Sequence, residues 1–183
     1  MIKILFICHG NICRSPMAQY MFEDMVRRYG VEDQFEIDSA ATSREEIGNG
    51  VHYGTRNKLR QVGIPCGNHR ARQLTRSDYE HFDYLIGMDA ENMYYMPRLT
   101  GGDPDNKLYN LLTFAGLDRD IADPWYTGNF EDTYQDLKVG LEAFFEHLVR
   151  QGEISPGTGA ALKVSRKKDG GAFDETRKRE KRH

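Results

Sequence analysis

Ile4-Leu5-Phe6-Ile7-Cys8 is an unbroken apolar run that ends in a turn, His9-Gly10-Asn11, and a helix-start signal, Ser15-Pro16. An apolar run without polar alternation predicts a strand covered on both faces, the pattern of a parallel sheet. Parallel neighbours need long crossover connections, so helices must follow. Here the next residues supply one. Ser15 is a good N-cap and Pro16 suits the first helical position. Met17, Tyr20, Met21, Met25 and Val26 recur at helical spacing, and Gly30 is a stop signal.

The rest of the chain repeats the pattern. Phe35-Glu36-Ile37-Asp38-Ser39 alternates and predicts a second strand, Tyr84 to Met88 a third, and Leu108 to Leu112 a fourth. Between them lie a weak helix over Asn57 to Val62 and a helix stopped by Pro97 over Ala90 to Met96. A short helix should also follow Thr75-Arg76-Ser77-Asp78, a capping box with Asp in place of Glu. Asp123-Pro124-Trp125-Tyr126-Thr127-Gly128 reads as a loop. Tyr134, Leu137, Leu141, Phe144, Phe145 and Leu148 then mark one face of a long amphipathic helix. The expected fold class is α/β, a single domain whose parallel sheet is flanked by helices on both faces.

The 183 residues suit one such domain, expected over 1–151. From Gly152 the composition turns polar. Ser155-Pro156-Gly157-Thr158-Gly159 is linker-like, and Lys163 to His183 has almost no core formers. The segment 152–183 reads as a tail, disordered or appended, or alternatively as a basic arm for an acidic partner. A net charge of −3 argues against nucleic acid or an anionic membrane as the main partner. No segment is long and apolar enough to span a bilayer, and the N-terminus lacks the regions of a signal peptide. The expectation is a cytoplasmic protein without membrane insertion, with a monomer as the default state. Three cysteines, Cys8, Cys13 and Cys66, do not make a disulfide framework. His52, His69, His81 and His147 show no ligand spacing and mostly read as exposed, so no metal and no other cofactor is expected.

Cys8-His9-Gly10-Asn11-Ile12-Cys13-Arg14-Ser15-Pro16 carries the chemistry. In a strand-to-helix loop, Gly and Asn tolerate left-handed backbone angles and can turn N–H groups inward. Those amides and the helix N-terminus form an anion cradle with Cys8 at its floor. The same field favours the thiolate over the thiol. Arg14 closes the loop, where its planar fork can grip two phosphoryl oxygens. The bland reading makes Cys8 a small core residue at a strand end, and it leaves the charged Arg14 unexplained. The bland reading of Asp123 is an Asp-Pro turn, and its residues alone do not choose between turn and acid. Trp125 and Tyr126 are either packing aromatics or a wall beside an aryl group.

With these motifs the chain resembles the low-molecular-weight protein tyrosine phosphatases from Ile2 to about Arg150. The resemblance rests on Cys8 to Pro16, Asp38-Ser39-Ala40-Ala41-Thr42-Ser43, Gly63-Ile64-Pro65 leading to His69-Arg70-Ala71-Arg72, and Asp123-Pro124-Trp125-Tyr126. It implies a four-stranded parallel sheet, Cys8 as nucleophile, Arg14 as phosphate clamp and Asp123 as general acid. It also implies Ser15 as thiolate stabiliser, and Ser39 and His69 as supports of Asn11. His9, Gly10, Asn11, Ile12, Cys13 and Ser15 would line the phosphate. Trp125 and Tyr126 would form one substrate wall, and Glu45 stands where many relatives place an opposing aromatic. The implied partners are phosphotyrosine-containing proteins, hydrolysed through a phosphocysteine.

Three rivals share features of the loop. Protein-arginine phosphatases on this fold carry Thr where this chain has Ile12. Arsenate reductases need two relay cysteines, and only Cys66 lies outside the loop. Phosphocarrier domains keep phosphate on a loop cysteine and have no use for Arg14 and Asp123. Cys13, five positions after Cys8, is either a small buried residue or a partner that would resolve an oxidised Cys8 as a disulfide.

Overall fold

A computed structural model describes residues 1–154. Four parallel strands form one sheet: β1 (Ile2–Cys8), β2 (Phe35–Ala41), β3 (Tyr84–Gly87) and β4 (Leu108–Asn110), in the order β2-β1-β3-β4. Six helices surround it: α1 (Arg14–Arg28), α2 (Tyr53–Gln61), α3 (Arg76–His81), α4 (Ala90–Thr100), α5 (Pro124–Thr127) and α6 (Phe130–Arg150).

β1 is buried on both faces, as its unbroken apolar run requires. Ile4 and Phe6 point into the larger core with Phe22 of α1 and Phe144 of α6. Leu5 and Ile7 point the other way, against Tyr79 of α3, Leu85 of β3 and Met96 of α4. The larger core is strongly aromatic. Phe22 meets Phe6 edge-on at 5.9 Å and lies 5.4 Å from Phe144. Each such ring is worth about 1.5–3 kcal/mol of burial, which fixes α1 and α6 against the central strand. β2 and β3 lie on opposite sides of β1, so the chain reverses direction across the sheet at the carboxyl end of β1. Open parallel sheets bind ligands at this switch point, and Cys8 is the last residue of the strand.

Several expected boundaries shift. Ser15 is not the N-cap of α1. Cys13 holds that position, and Ser15 lies inside the first turn with its hydroxyl turned toward Cys8. α2 begins four residues earlier than expected, at Tyr53, because the His52 ring caps it by accepting the Gly54 N–H at 3.0 Å. α3 is capped as expected: Thr75 Oγ1 accepts from the Asp78 N–H at 3.2 Å, and Asp78 Oδ2 accepts from the Thr75 N–H at 2.8 Å.

Pro97 does not stop α4. The helix continues to Thr100, since burying Met96 and Thr100 outweighs one missing donor, and it ends at Gly101 with φ 82°. β4 is shorter than expected. Leu111–Ala115 winds into a 3-10 turn that buries Leu111 and Leu112 completely. Asp123 to Gly128 is not all loop, since Pro124–Thr127 forms one helical turn. At the other end the packed body passes the expected boundary at 151, because Glu153 accepts from the Tyr84 hydroxyl and Ile154 is buried. The remainder of the expected tail lies outside the described residues.

Gly140 shows how closely α6 approaches that turn. A Cβ there would come 2.6 Å from Leu111 Cγ, a fully buried atom that cannot swing away. Gly140→Ala gains about 1 kcal/mol of helix propensity but overpacks this contact at a cost of about 1–3 kcal/mol. The expected result is a net loss of stability, read as a lower urea midpoint.

Candidate active site

The loop between β1 and α1 curls around the sulfur of Cys8. Cys8 Sγ accepts from the backbone N–H of Asn11 at 3.3 Å and of Ser15 at 3.4 Å. The Ser15 hydroxyl lies 3.0 Å away. That hydroxyl accepts from Asn11 Nδ2 at 2.8 Å, which leaves its proton free to donate to sulfur. Three donors thus converge on Sγ, as a thiolate requires. First-turn amides of a helix have no carbonyl within the helix to pair with, and the Ser15 amide points into the loop instead. Cys8 itself is buried.

Asn11 gives the loop its shape. Its φ of 60° is left-handed, a conformation that Asn tolerates better than most residues. Its amide is fully used. Nδ2 donates to Ser15 and, at 3.0 Å, to Ser39 Oγ. Oδ1 accepts from the Arg72 backbone N–H at 3.2 Å and from His69 Nε2 at 2.7 Å. A backbone N–H can only donate, so Arg72 fixes which end of the amide is oxygen. His69 must therefore carry its proton on Nε2. Ser39 Oγ donates in turn to Gln19 Oε1 at 2.6 Å. Asp38 and Asp78 hold the Arg72 guanidinium at 3.1 and 2.9 Å.

His69 is not among the exposed histidines. Its side chain is 9 % exposed, packed behind the loop. Burial pushes its pKa down, and Arg72 adds to this, while Asp38 only partly opposes them. Cys13, also buried, is pushed up to about 12, first by burial and next by the neighbouring Cys8. Cys8, Cys13 and Cys66 are all free thiols.

Arg14 closes the loop with its side chain 3 % exposed. Nη1 donates to the Ile121 carbonyl at 3.1 Å and pairs with Asp89 at 2.8 Å, while Nη2 lies 3.3 Å from Asp123 Oδ2. These acids and Cys8 raise the Arg14 pKa against the opposing effect of burial. Asp123 caps α5 by accepting the Trp125 N–H at 3.1 Å. The segment before it is anchored twice: the Ile121 N–H donates to the Met88 carbonyl at 2.8 Å, and the Ala122 N–H to Asp136 at 2.9 Å. One oxygen of Asp123 is thus used for the cap, and the other faces Arg14.

Cys8, Arg14, Asp89, Ile121 and Asp123 border one cleft of about 750 Å³. His9, Gly10, Ile12 and Cys13 line it beside Cys8 and Arg14, and Asp123, Trp125, Tyr126 and Glu45 rise around it. Asn11, Ser15, Ser39 and His69 lie behind the loop and shape it from below. Trp125 and Tyr126 are exposed, with Trp125 edge-on to His52 at 6.2 Å. Among the described residues, no group of three or more His, Cys, Asp or Glu side chains is placed to hold a metal ion.

Three contributors escaped the sequence reading. Asp89 shows only as a polar residue after a strand, and its pairing with Arg14 joins positions 75 apart in the chain. Gln19 is one of several polar residues on α1, and His52 carries no motif. Asp89 alone left a usable signal, as a carboxylate at the carboxyl end of a central strand.

The family model described as "Low molecular weight phosphotyrosine protein phosphatase" matches residues 3–154. The chain belongs to this family. A curated relative, the Bacillus subtilis low molecular weight protein-tyrosine-phosphatase YfkJ, is 40% identical over 157 residues, covering 84% of this chain and 100% of the relative. The crystal structure of YfkJ superposes with a TM-score of 0.79 over 82% of this chain and 96% of that one. The Gallus gallus low molecular weight phosphotyrosine protein phosphatase is 40% identical, covering 79% of this chain and 94% of the relative. A Drosophila arginine phosphatase shares the fold at 27% identity and TM-score 0.73, over 80% of this chain and 97% of that one.

In this phosphatase-family chain, His69 links the loop to pH. Its folded pKa lies below its ordinary 6.5, so the unfolded chain binds more protons there. Stability from this residue is complete above about 6.5 and is lost as pH falls toward the folded value. The expected outcome is a steeper fall in wild-type stability as pH drops below about 6.5 than in His69→Gln, measured by denaturant midpoints.

Proposed function

We propose that this chain hydrolyses phosphotyrosine in proteins, and small aryl phosphates, through a phosphocysteine. The observation that carries the reading is the convergence of three donors on Cys8 Sγ, beneath Arg14 and Asp123 in the same cleft.

The Cys8 thiolate attacks phosphorus in line with the aryl oxygen. The P–O bond breaks, and Asp123 gives its proton to the departing phenolate. Arg14, held by Asp89 and the Ile121 carbonyl, presents its remaining donors to the phosphoryl oxygens. In the second step the Asp123 carboxylate takes a proton from water. That water attacks phosphorus, the S–P bond breaks, and its electron pair returns to sulfur. The Ser15 hydroxyl stabilises the released thiolate. His9, Gly10, Asn11, Ile12 and Cys13 enclose the phosphate, with Ser39 and His69 holding Asn11 in place. Trp125 and Tyr126 flank the ring.

Phosphotyrosine is favoured over phosphoarginine by Ile12, whose buried side chain packs with Cys13 and Ala71 at the floor of the cleft. An apolar group there offers a guanidinium no acceptor. We place the activity in the cytoplasm, a reading supported by the three free thiols. No helix among the described residues is long and apolar enough to cross a membrane.

Cys8→Ser should bind phosphate and lose turnover, since a serine hydroxyl in this field is hardly ionised at neutral pH. Asp123→Asn should lose about 10²–10⁴-fold on substrates with poor leaving groups and far less on good ones. Stopped-flow rates over a series of substituted phenyl phosphates check this. An equal loss across the series would make Asp123 structural.

Ile12→Thr should raise the ratio of phosphoarginine to phosphotyrosine hydrolysis, read as phosphate release from paired peptides. An unchanged ratio would remove Ile12 as the selector.

A further inference from the structure

The mouth of the cleft is ringed by carboxylates that the phosphoryl transfer does not use. Glu45 and Glu46 come from the loop after β2, Glu91 from the first turn of α4, and Asp120 from the segment before Asp123. They approach from three separate parts of the chain. Each is held in place. His9 Nε2 lies 3.0 Å from Glu45, and His9 Nδ1 lies 3.6 Å from Glu91, so one imidazole spans two walls. Glu46 accepts from Asn49 Nδ2 at 2.6 Å, and Asp120 accepts the Ala90 N–H at 3.0 Å.

His9 is itself the second residue of the phosphate loop, and its carbonyl is pinned by the Ser43 N–H at 3.0 Å. The carboxylates of Glu45 and Glu91 therefore stand within one ring's width of the cradle. Their side chains are still 69 % and 62 % exposed, open to a visiting chain.

Two arginines line the cleft beside this rim, and both are paired elsewhere. Arg14 is committed to Asp89 and Asp123 inside the cleft. Arg119 also lines the mouth, but its guanidinium pairs with the buried Asp136 at 3.2 Å. Scattered surface carboxylates are ordinarily a solvated face. Four of them, held around one opening, make a local field that a bound peptide must cross.

We propose that Glu45, Glu46, Glu91 and Asp120 select phosphotyrosine segments flanked by Lys or Arg and disfavour those flanked by Asp or Glu. The proposal rests on the phosphotyrosine reading above. With the phosphorylated ring deep in the cleft, the neighbouring residues lie along this rim. Cationic neighbours pair with it, and acidic ones meet like charge.

The experiment compares kcat/KM for three phosphotyrosine peptides whose flanks are lysine-rich, neutral or glutamate-rich. The expected order is basic, neutral, acidic. Two or three screened pairs, each worth a few-fold, give about a tenfold span between the extremes at low salt. The span should shrink toward unity at ~0.5 M salt, where the screening length falls to a few ångströms. Glu46→Gln with Glu91→Gln should narrow the basic-to-acidic ratio about threefold, and Glu46→Lys with Glu91→Lys should bring it to unity or below.

The ratio is internal to each protein, so a general loss of activity in a variant does not disturb it. Equal kcat/KM for the three peptides, or a span that salt leaves unchanged, would overturn the rim as selector while the phosphatase reading stands. Failure of the intact chain to turn over any of the peptides or p-nitrophenyl phosphate would overturn both.

Discussion

The buried amide of Asn11 is the interaction on which the site depends. A loop that gathers N–H groups around an anion must hold its backbone against their mutual repulsion and against helical or extended alternatives. Asn11 does this from within. Its left-handed φ turns the chain, and four contacts satisfy the N–H and carbonyl groups of its own buried side-chain amide. Leaving even one such group unpaired costs about 1–3 kcal/mol. The network reaches α1 through Gln19, β2 through Ser39, and the segment before α3 through His69 and Arg72. The loop is thereby fastened to three parts of the fold rather than to its own ends.

Charge is arranged in layers around that loop. At the centre, the field of amides and Arg14 is positive and suits a thiolate and a phosphoryl group. Around it, Asp89 and Asp123 offset Arg14 and fix the direction of its fork. A guanidinium this deeply buried would carry a large desolvation cost without such partners. Outermost lies the carboxylate rim, with Glu45 and Glu91 exposed to solvent.

Much of the fold was legible in local pattern. The unbroken run in β1, the capping box before α3 and the apolar face of α6 each depend on neighbours in sequence. The places where local reading failed share a cause. Ser15 looks like a cap but serves Cys8. Pro97 looks like a stop but is carried through by the burial of Met96 and Thr100. Leu111 and Leu112 look like strand but are drawn under α6. In each case a tertiary contact outweighs a propensity worth at most a few kcal/mol.

By itself, the sequence determined the α/β class, the strand-loop-helix cradle with Cys8 and Arg14 at its two ends, and the family that these motifs mark. Those features lie within short stretches, where spacing and backbone preference act directly. Only the tertiary structure brought Asp89 and Asp123 to Arg14, buried His69 behind the loop, and closed a ring of carboxylates from three segments around the mouth. These depend on distances between residues far apart in the chain. Sheet order and helix packing set such distances, and no local pattern encodes them.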